Sequence, residues 1–313
     1  LKKMNKFEKV IEAKERYDKG ENIIEFLKTF NSGQTAELED ILISYDLQSG
    51  SYIKGLQENP ESRVHYCNEI NSFIDSCGDI DTIVEVGVGE AITLGNVLTS
   101  SKKTFKAAFG FDVSWSRLSY AKNYLADLKI NNVELFTGDL FNIPLPDNSV
   151  DMVYSMHSLE PNGGREEEAL KELFRIAKKY ILLIEPSYKN SDAEQRARME
   201  RHGYVRDLEV TANKLGYHVI EDRKLNYSAN PLNPSGLIAI KKTEHKSEEP
   251  SLMCPITKSK LKIQNDHLMS SKGGLISYPV IKGIPCLLEK NAVLTTHLEI
   301  DYQQYKKDND ISL

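Results

Sequence analysis

The chain has 313 residues, 40% hydrophobic and 27% charged, with a formal net charge of −6. That length suffices for one large core plus smaller attachments, and the composition is that of a globular protein, not a disordered one. The apolar runs at 82–86 and 180–184 fall far short of the ~20 residues of a membrane helix, and the basic start at 1–6 lacks the apolar stretch of a secretory signal, so no membrane role is expected. A nucleic-acid partner usually meets a clustered basic surface; the acidic balance makes one unlikely, although Arg196, Arg198, Arg201 and Arg206 lie close together. Cys67, Cys77, Cys254 and Cys286 lack the spacing of a disulfide scaffold, which fits a reduced, cytoplasmic setting.

In chain order, residues 1–78 read as helices broken by turns. Ile23, Ile24, Leu27 and Phe30 recur at helical spacing, and Asn31-Ser32-Gly33 supplies a turn. A second helix is expected over 37–45 and a third over 61–76, after Pro60 and before Gly78. Over 79–242 short apolar runs alternate with helical stretches, the pattern of a doubly wound α/β domain with a mostly parallel sheet. Strands are expected at 82–86, 107–111, 133–136, 150–156 and 180–184, with helices that include 116–128, 166–177 and 207–214. Runs at 217–223 and 236–241, joined through Pro231 and Pro234, would close a seven-stranded sheet as a reversed hairpin. Residues 243–250 are polar and read as a linker. A small β-rich module is expected over 251–290, and a charged tail over 291–313.

The strongest motif follows the first strand: Glu85-Val86-Gly87-Val88-Gly89-Glu90-Ala91. A strand that turns through glycines into a helix brings backbone close to a ligand. Ile92 stands where a dinucleotide fingerprint needs its third glycine, and a carboxylate at Glu85 would repel a diphosphate but attract an amino group. Asp112 ends the second strand, next to Val113, where an acid accepts from both hydroxyls of a ribose. Asp139 ends the third, placed for an adenine amino group with Leu140 against the ring.

Residues 82–186, with the hairpin at 217–241, resemble the class I S-adenosylmethionine-dependent methyltransferases. The run Gly138-Asp139-Leu140-Phe141-Asn142-Ile143-Pro144-Leu145-Pro146-Asp147-Asn148-Ser149-Val150-Asp151 is especially similar to that family. The resemblance implies S-adenosylmethionine as cofactor, with Glu85, Gly87 and Gly89 at its methionine end, Asp112 at the ribose, and Asp139 with Leu140 at the adenine. Ala91 departs from the family at its third glycine, and Lys178-Lys179 stands where a Pro-Gly-Gly turn often precedes the fifth strand.

The segment Ser155-Met156-His157-Ser158-Leu159-Glu160-Pro161-Asn162-Gly163-Gly164-Arg165 would lie beside the transferable methyl group. His157 is the candidate general base, against a bland role in holding cofactor or backbone, and Ser155 a candidate cofactor contact. Arg165, Glu185, His202 and Tyr204 are candidate substrate residues, and Asn162-Gly163-Gly164 is either a substrate loop or a helix-entry turn. Tyr45 and Tyr52 precede the sheet, where related enzymes carry a helical lid; Tyr52 is the candidate for covering the cofactor.

Met253-Cys254-Pro255-Ile256-Thr257, followed by Ser277-Tyr278-Pro279-Val280-Ile281-Lys282-Gly283-Ile284-Pro285, resembles a zinc-ribbon-like family that includes a methyltransferase activator. Its metal-binding members use two Cys-x-x-Cys pairs. Here Cys254 remains while Thr257, Ser271 and Gly274 occupy the other ligand positions, so the fold is expected without metal. The leading expectation is methyl transfer to an oxygen or nitrogen of a small-molecule substrate, such as a sugar or glycan precursor, by a chain that could form a homodimer. The alternatives are a tRNA, rRNA or protein methyltransferase and a non-enzymatic cofactor-binding scaffold.

Overall fold

The computed structural model of the chain describes residues 5–30, 38–243, 247–264, 267–270, 275–298 and 302–311. Asn31, Ser32, Gly33, Glu37, Ser271 and Gly274, as well as part of the linker at 243–250, lie outside the described residues.

Seven strands form the central sheet: β1 (Thr82–Val86), β2 (Ala107–Asp112), β3 (Val133–Thr137), β4 (Val150–Met156), β5 (Ala177–Pro186), β6 (His218–Lys224) and β7 (Ser235–Lys241). Their order is β3-β2-β1-β4-β5-β7-β6. The first five run parallel, while β7 pairs antiparallel with both β5 and β6. The chain order reverses between β1 and β4, and in open α/β sheets such a switch opens a crevice beyond the strands' carboxyl ends.

The strands are near-continuous apolar runs because both faces are covered. Val84, Val86, Val153, Ile181 and Leu183 point into one core, whereas Ile83, Met152, Tyr154, Leu182 and Ile184 point into the other. The helix Glu166–Ile176 buries Ala169, Leu170, Leu173 and Ile176 in the first core. Three glutamates in its first turn complement its dipole. The helix Val64–Ser76 presses Tyr66, Ile70, Phe73 and Ile74 into the second.

Lys178 and Lys179 belong to β5 itself; the strand starts at Ala177, directly after the helix. The β4–β5 register shifts there, from Val150↔Ala177 to Met152↔Tyr180. The Lys179 ammonium lies 3.0 Å from the Asp151 carboxylate, which holds the irregularity without a glycine turn.

Before the sheet, the helices Lys6–Asp18, Ile23–Lys28 and Leu38–Leu47 share a small core of Ala13, Ile23, Leu27 and Ile43. The helix Ser51–Glu58 follows. After the linker, strands Leu261–Gln264, His267–Ser270 and Ile276–Ile281 form an antiparallel sheet. Val293–Leu294, beyond residue 290, adds to it. Tail residues Tyr302–Asp308 are helical.

This module is fastened along β3, the edge of the large sheet. Cys286 forms a parallel bridge with Thr137, and the Leu287 amide donates to the Thr137 carbonyl at 3.2 Å. Leu252, Cys254, Leu261, Tyr278 and Leu287 continue the first core, so an otherwise exposed strand edge is covered. Among the described residues no helix is long and apolar enough to cross a membrane.

Candidate functional site

The carboxyl ends of β1, β2 and β3 open onto one cleft that is partly open to solvent. Glu85, Asp112 and Asp139 line its floor together with Gly87, Gly89 and Leu140. Val113 lines it beside Asp112.

The glycine turn is tight for identifiable reasons. Gly87 has φ +63°, and a Cβ there would lie 2.4 Å from the Ser158 Cβ. Gly89 has φ +54°, and its amide donates to Asp112 Oδ2 at 3.0 Å. Ala91, where the resembled family favours glycine, is also left-handed at φ 57°, at a cost of about 1–2 kcal/mol.

Burial sets the chemistry of the floor. Glu85 is buried and raised to about 8 by desolvation, against the Tyr154 hydroxyl that donates to it at 3.1 Å. Desolvation also raises Asp112, opposed by Arg117 and by the Ser114 and Gly89 amides. Asp139 shifts up for the same reason, with its carboxylate accepting from the Phe141 amide at 3.0 Å. Three acids with spare acceptor capacity therefore face one cavity, a surface suited to a ligand rich in amino and hydroxyl donors.

Beside the floor, His157 lines the cleft from a left-handed backbone, φ 54°. Its Nδ1 lies 3.0 Å from Glu160 Oε2 and its Nε2 lies 2.8 Å from Ser235 Oγ. Ser235 Oγ is in turn 3.1 Å from the Tyr66 hydroxyl. Both ring nitrogens are thus engaged within the protein.

Ser155 and Glu185 do not line the cleft; they pair beneath it. Glu185 Oε1 accepts from the Ser155 hydroxyl at 2.7 Å and from the Ser158 and Leu159 amides, and Oε2 accepts from the Glu160 amide. Desolvation raises Glu185 to about 7, with His157 and Ser155 opposing.

Arg165, His202 and Tyr204 stand outside the cleft lining. Arg165 pairs with Glu168 and lies over the Phe141 ring, 3.4 Å from its centroid, while Phe141 itself lines the cleft. His202 stacks on Tyr204 at 5.4 Å. The Asn162-Gly163-Gly164 turn packs against this segment: a Cβ on Gly163 would lie 2.4 Å from the Tyr204 carbonyl oxygen, so glycine serves chain-to-chain contact there.

The helices before the sheet are fastened to the floor by residues that sequence reasoning passed over. Glu90, 1% exposed, accepts from the amides of Gly50, Tyr52 and Ile53 and so caps the helix Ser51–Glu58. Asp46 accepts from the Ser114 and Ser116 hydroxyls, which fastens the end of the helix Leu38–Leu47. Tyr45 and Tyr52 line the cleft, with the Arg117 guanidinium 4.7 Å and 4.3 Å from their ring centroids. Arg117 had a signal: it shares a helix stripe with Ala121 and Leu125, where an apolar residue belongs. Ser235 had none, since it lies 78 positions from His157 in the chain and meets it only in space.

Residues 83–180 match the family described as "Methyltransferase domain". The match spans about a third of the chain. That match, with the cleft at its strand ends, supports a methyl-transferring enzyme. Among solved structures, a SAM-dependent methyltransferase from Aquifex aeolicus is similar at 20% identity and TM-score 0.48, covering 61% of this chain and 97% of that one. A chain from the complex of the Haloferax volcanii Trm112 methyltransferase activator with a putative methyltransferase is 17% identical at TM-score 0.48, covering 62% and 94%. Magnesium protoporphyrin IX methyltransferase from Synechocystis, with bound SAH, is 12% identical at TM-score 0.49, covering 64% and 99%.

Proposed function

We propose that the cleft holds S-adenosylmethionine across the ends of β1, β2 and β3, and that the methyl group passes to an oxygen or nitrogen of a small metabolite. The observation that carries this reading is the convergence of Glu85, Asp112 and Asp139 on one cavity. Glu85 takes the amino group, Asp112 the ribose hydroxyls, and Asp139 with Leu140 the adenine. Tyr52 covers the bound cofactor from the lid.

Transfer is direct displacement at a sulfonium, so alignment of donor and acceptor supplies much of the rate. His157, clamped between Glu160 and Ser235, shapes the turn beside the methyl group. It takes a proton only if the Ser235 hydrogen bond yields to the acceptor. Glu185 tethers the 158–160 amides behind that turn and acts through them. The C-terminal module is a buttress for the β3 edge, where Cys286 and Leu287 are fastened.

Calorimetry with S-adenosylhomocysteine and with NAD tests the reading. We expect saturable binding of S-adenosylhomocysteine and weaker binding of NAD; the reverse order would overturn it. Methyl transfer into RNA with none into small acceptors would replace the small-metabolite part alone.

A further inference from the structure

The charges that line the cleft answer one another. Burial raises both Glu85 and Asp112; Tyr154 and the Arg63 charge oppose that rise at Glu85, and Arg117 opposes it at Asp112. Glu90 is occupied by the amides of Gly50, Tyr52 and Ile53. Asp139 takes the Phe141 amide, and the two ring nitrogens of His157 are held by Glu160 and Ser235. S-adenosylmethionine carries its amino group and its carboxylate on one carbon, so the end assigned to Glu85 takes both, with Arg63 beside it.

Much of the remaining wall is apolar, and one helix supplies a large share of it. Leu38, Ile41 and Tyr45 follow one another at spacings of three and four along the helix Leu38–Leu47, and all three line the cleft. That spacing sets them on one face. Ile43 and Leu47 lie on the opposite face and pack with Ala13, Ile23 and Leu27. Among the described residues, Leu38, Ile41 and Tyr45 join none of the three buried cores. Their stripe is therefore apolar toward the cleft and not toward the protein interior. Its far end neighbours the turn after β4: desolvation raises the Tyr45 hydroxyl, and Glu160 and Tyr204 are among the groups acting on it. Pro161 and Asn162 of that turn line the cleft as well.

A charge brought against such a wall is costly without a partner, whereas an apolar body gains by leaving water. We propose that the methyl acceptor is an uncharged, largely apolar small molecule, held by the stripe Leu38, Ile41 and Tyr45 together with Pro161. This rests on the reading of the cleft as the S-adenosylmethionine site. A protonated alkylamine would add a cation with no acid left to meet it, so the nucleophile is a hydroxyl or an uncharged nitrogen. Asn162 donates through Nδ2 to the Leu159 carbonyl at 3.2 Å, and its Oδ1 can accept from that hydroxyl.

The test uses the full chain saturated with S-adenosylhomocysteine, titrated by calorimetry at neutral pH with two matched sets of probes. Naphthol is compared with naphthoate, and octanol with octanoate and octylammonium; methyl glucoside is the uncharged polar probe. We expect saturable one-to-one binding of at least one alcohol, with its charged counterparts and methyl glucoside weaker by roughly tenfold or more. Ile41→Ala should weaken that alcohol by roughly fivefold while S-adenosylhomocysteine stays within about twofold of the parent. Leu38→Ala, at the half-buried start of the same helix, should act in the same direction and serves if Ile41→Ala does not melt cooperatively. Binding of neither alcohol, a charged counterpart that binds as tightly, or methyl glucoside binding more tightly than both alcohols overturns the proposal. So does a variant with unchanged alcohol affinity, which would move the alcohol to another surface. An equal loss of S-adenosylhomocysteine in the folded variant also overturns it, by assigning the stripe to the cofactor. If the parent chain fails to bind S-adenosylhomocysteine at all, the cofactor reading fails instead.

Discussion

Two glutamates at the carboxyl ends of parallel strands, Glu85 on β1 and Glu185 on β5, share every coarse property. Each is 3% exposed and each is shifted upward by burial, to about 8 and about 7. Their surroundings divide them. Glu185 is consumed by three backbone amides and the Ser155 hydroxyl, whereas Glu85 takes a side-chain hydrogen bond from Tyr154 and lines the cleft. Burial and a raised pKa thus mark both a ligand-facing acid and a structural one; spare acceptor capacity toward a cavity tells them apart.

Replacing Glu185 by alanine should break the contrast most. Three amides, one of them fully buried, would lose their acceptor, and stability should fall by about 4 kcal/mol in urea unfolding. A loss below ~1 kcal/mol would mean that these amides find water.

At Glu85 the effect should appear in binding. Glu85→Ala should weaken S-adenosylhomocysteine by roughly 50-fold while retaining a cooperative melt, the loss of a charge-assisted contact. The parent should show a matching pH dependence. Because the folded value of about 8 lies above the ordinary 4.5, Glu85 stabilises the free protein fully below pH 4.5, and that contribution is lost as pH rises through 8. Affinity for the cofactor's ammonium runs the opposite way, rising by about tenfold per pH unit toward pH 8, with proton release on binding. Calorimetry in two buffers of different ionisation enthalpy reads that proton, and Glu85→Gln should abolish it.

Asp112→Ala should cost S-adenosylhomocysteine affinity about tenfold, more than His157→Ala, since Asp112 faces the proposed ribose and His157 faces its own clamp. The reverse order, read by calorimetry, would reassign the site. The smallest effect belongs to the lid: Glu90→Gln should weaken S-adenosylhomocysteine by a few-fold, through loss of charge at the helix terminus it caps. Faster hydrogen exchange at 50–53, with exchange in β1 unchanged, would place that loss in the lid.

Much of the floor was legible in the sequence because its signals are local. β1 and β4 lie where their apolar runs end, and the hairpin β6–β7 closes the sheet in the expected sense. A strand, a glycine turn and a following helix occupy adjacent residues, so period and turn chemistry expose them. Lys178 and Lys179 were misleading for the converse reason: two lysines look like a connection until Asp151, across the sheet, explains them.

By itself the sequence determined the doubly wound sheet, the glycine turn and the three acids at successive strand ends, because each depends on spacing within a few residues. Tertiary structure alone decided which acids face this cleft, since Glu185 is emptied of capacity by amides that arrive from the 158–160 turn. It also brought Arg63 and Arg117 to one tyrosine ring and Ser235 to His157. Pairings over such distances in the chain are set by how the helices and sheet pack, and no short-range pattern records them.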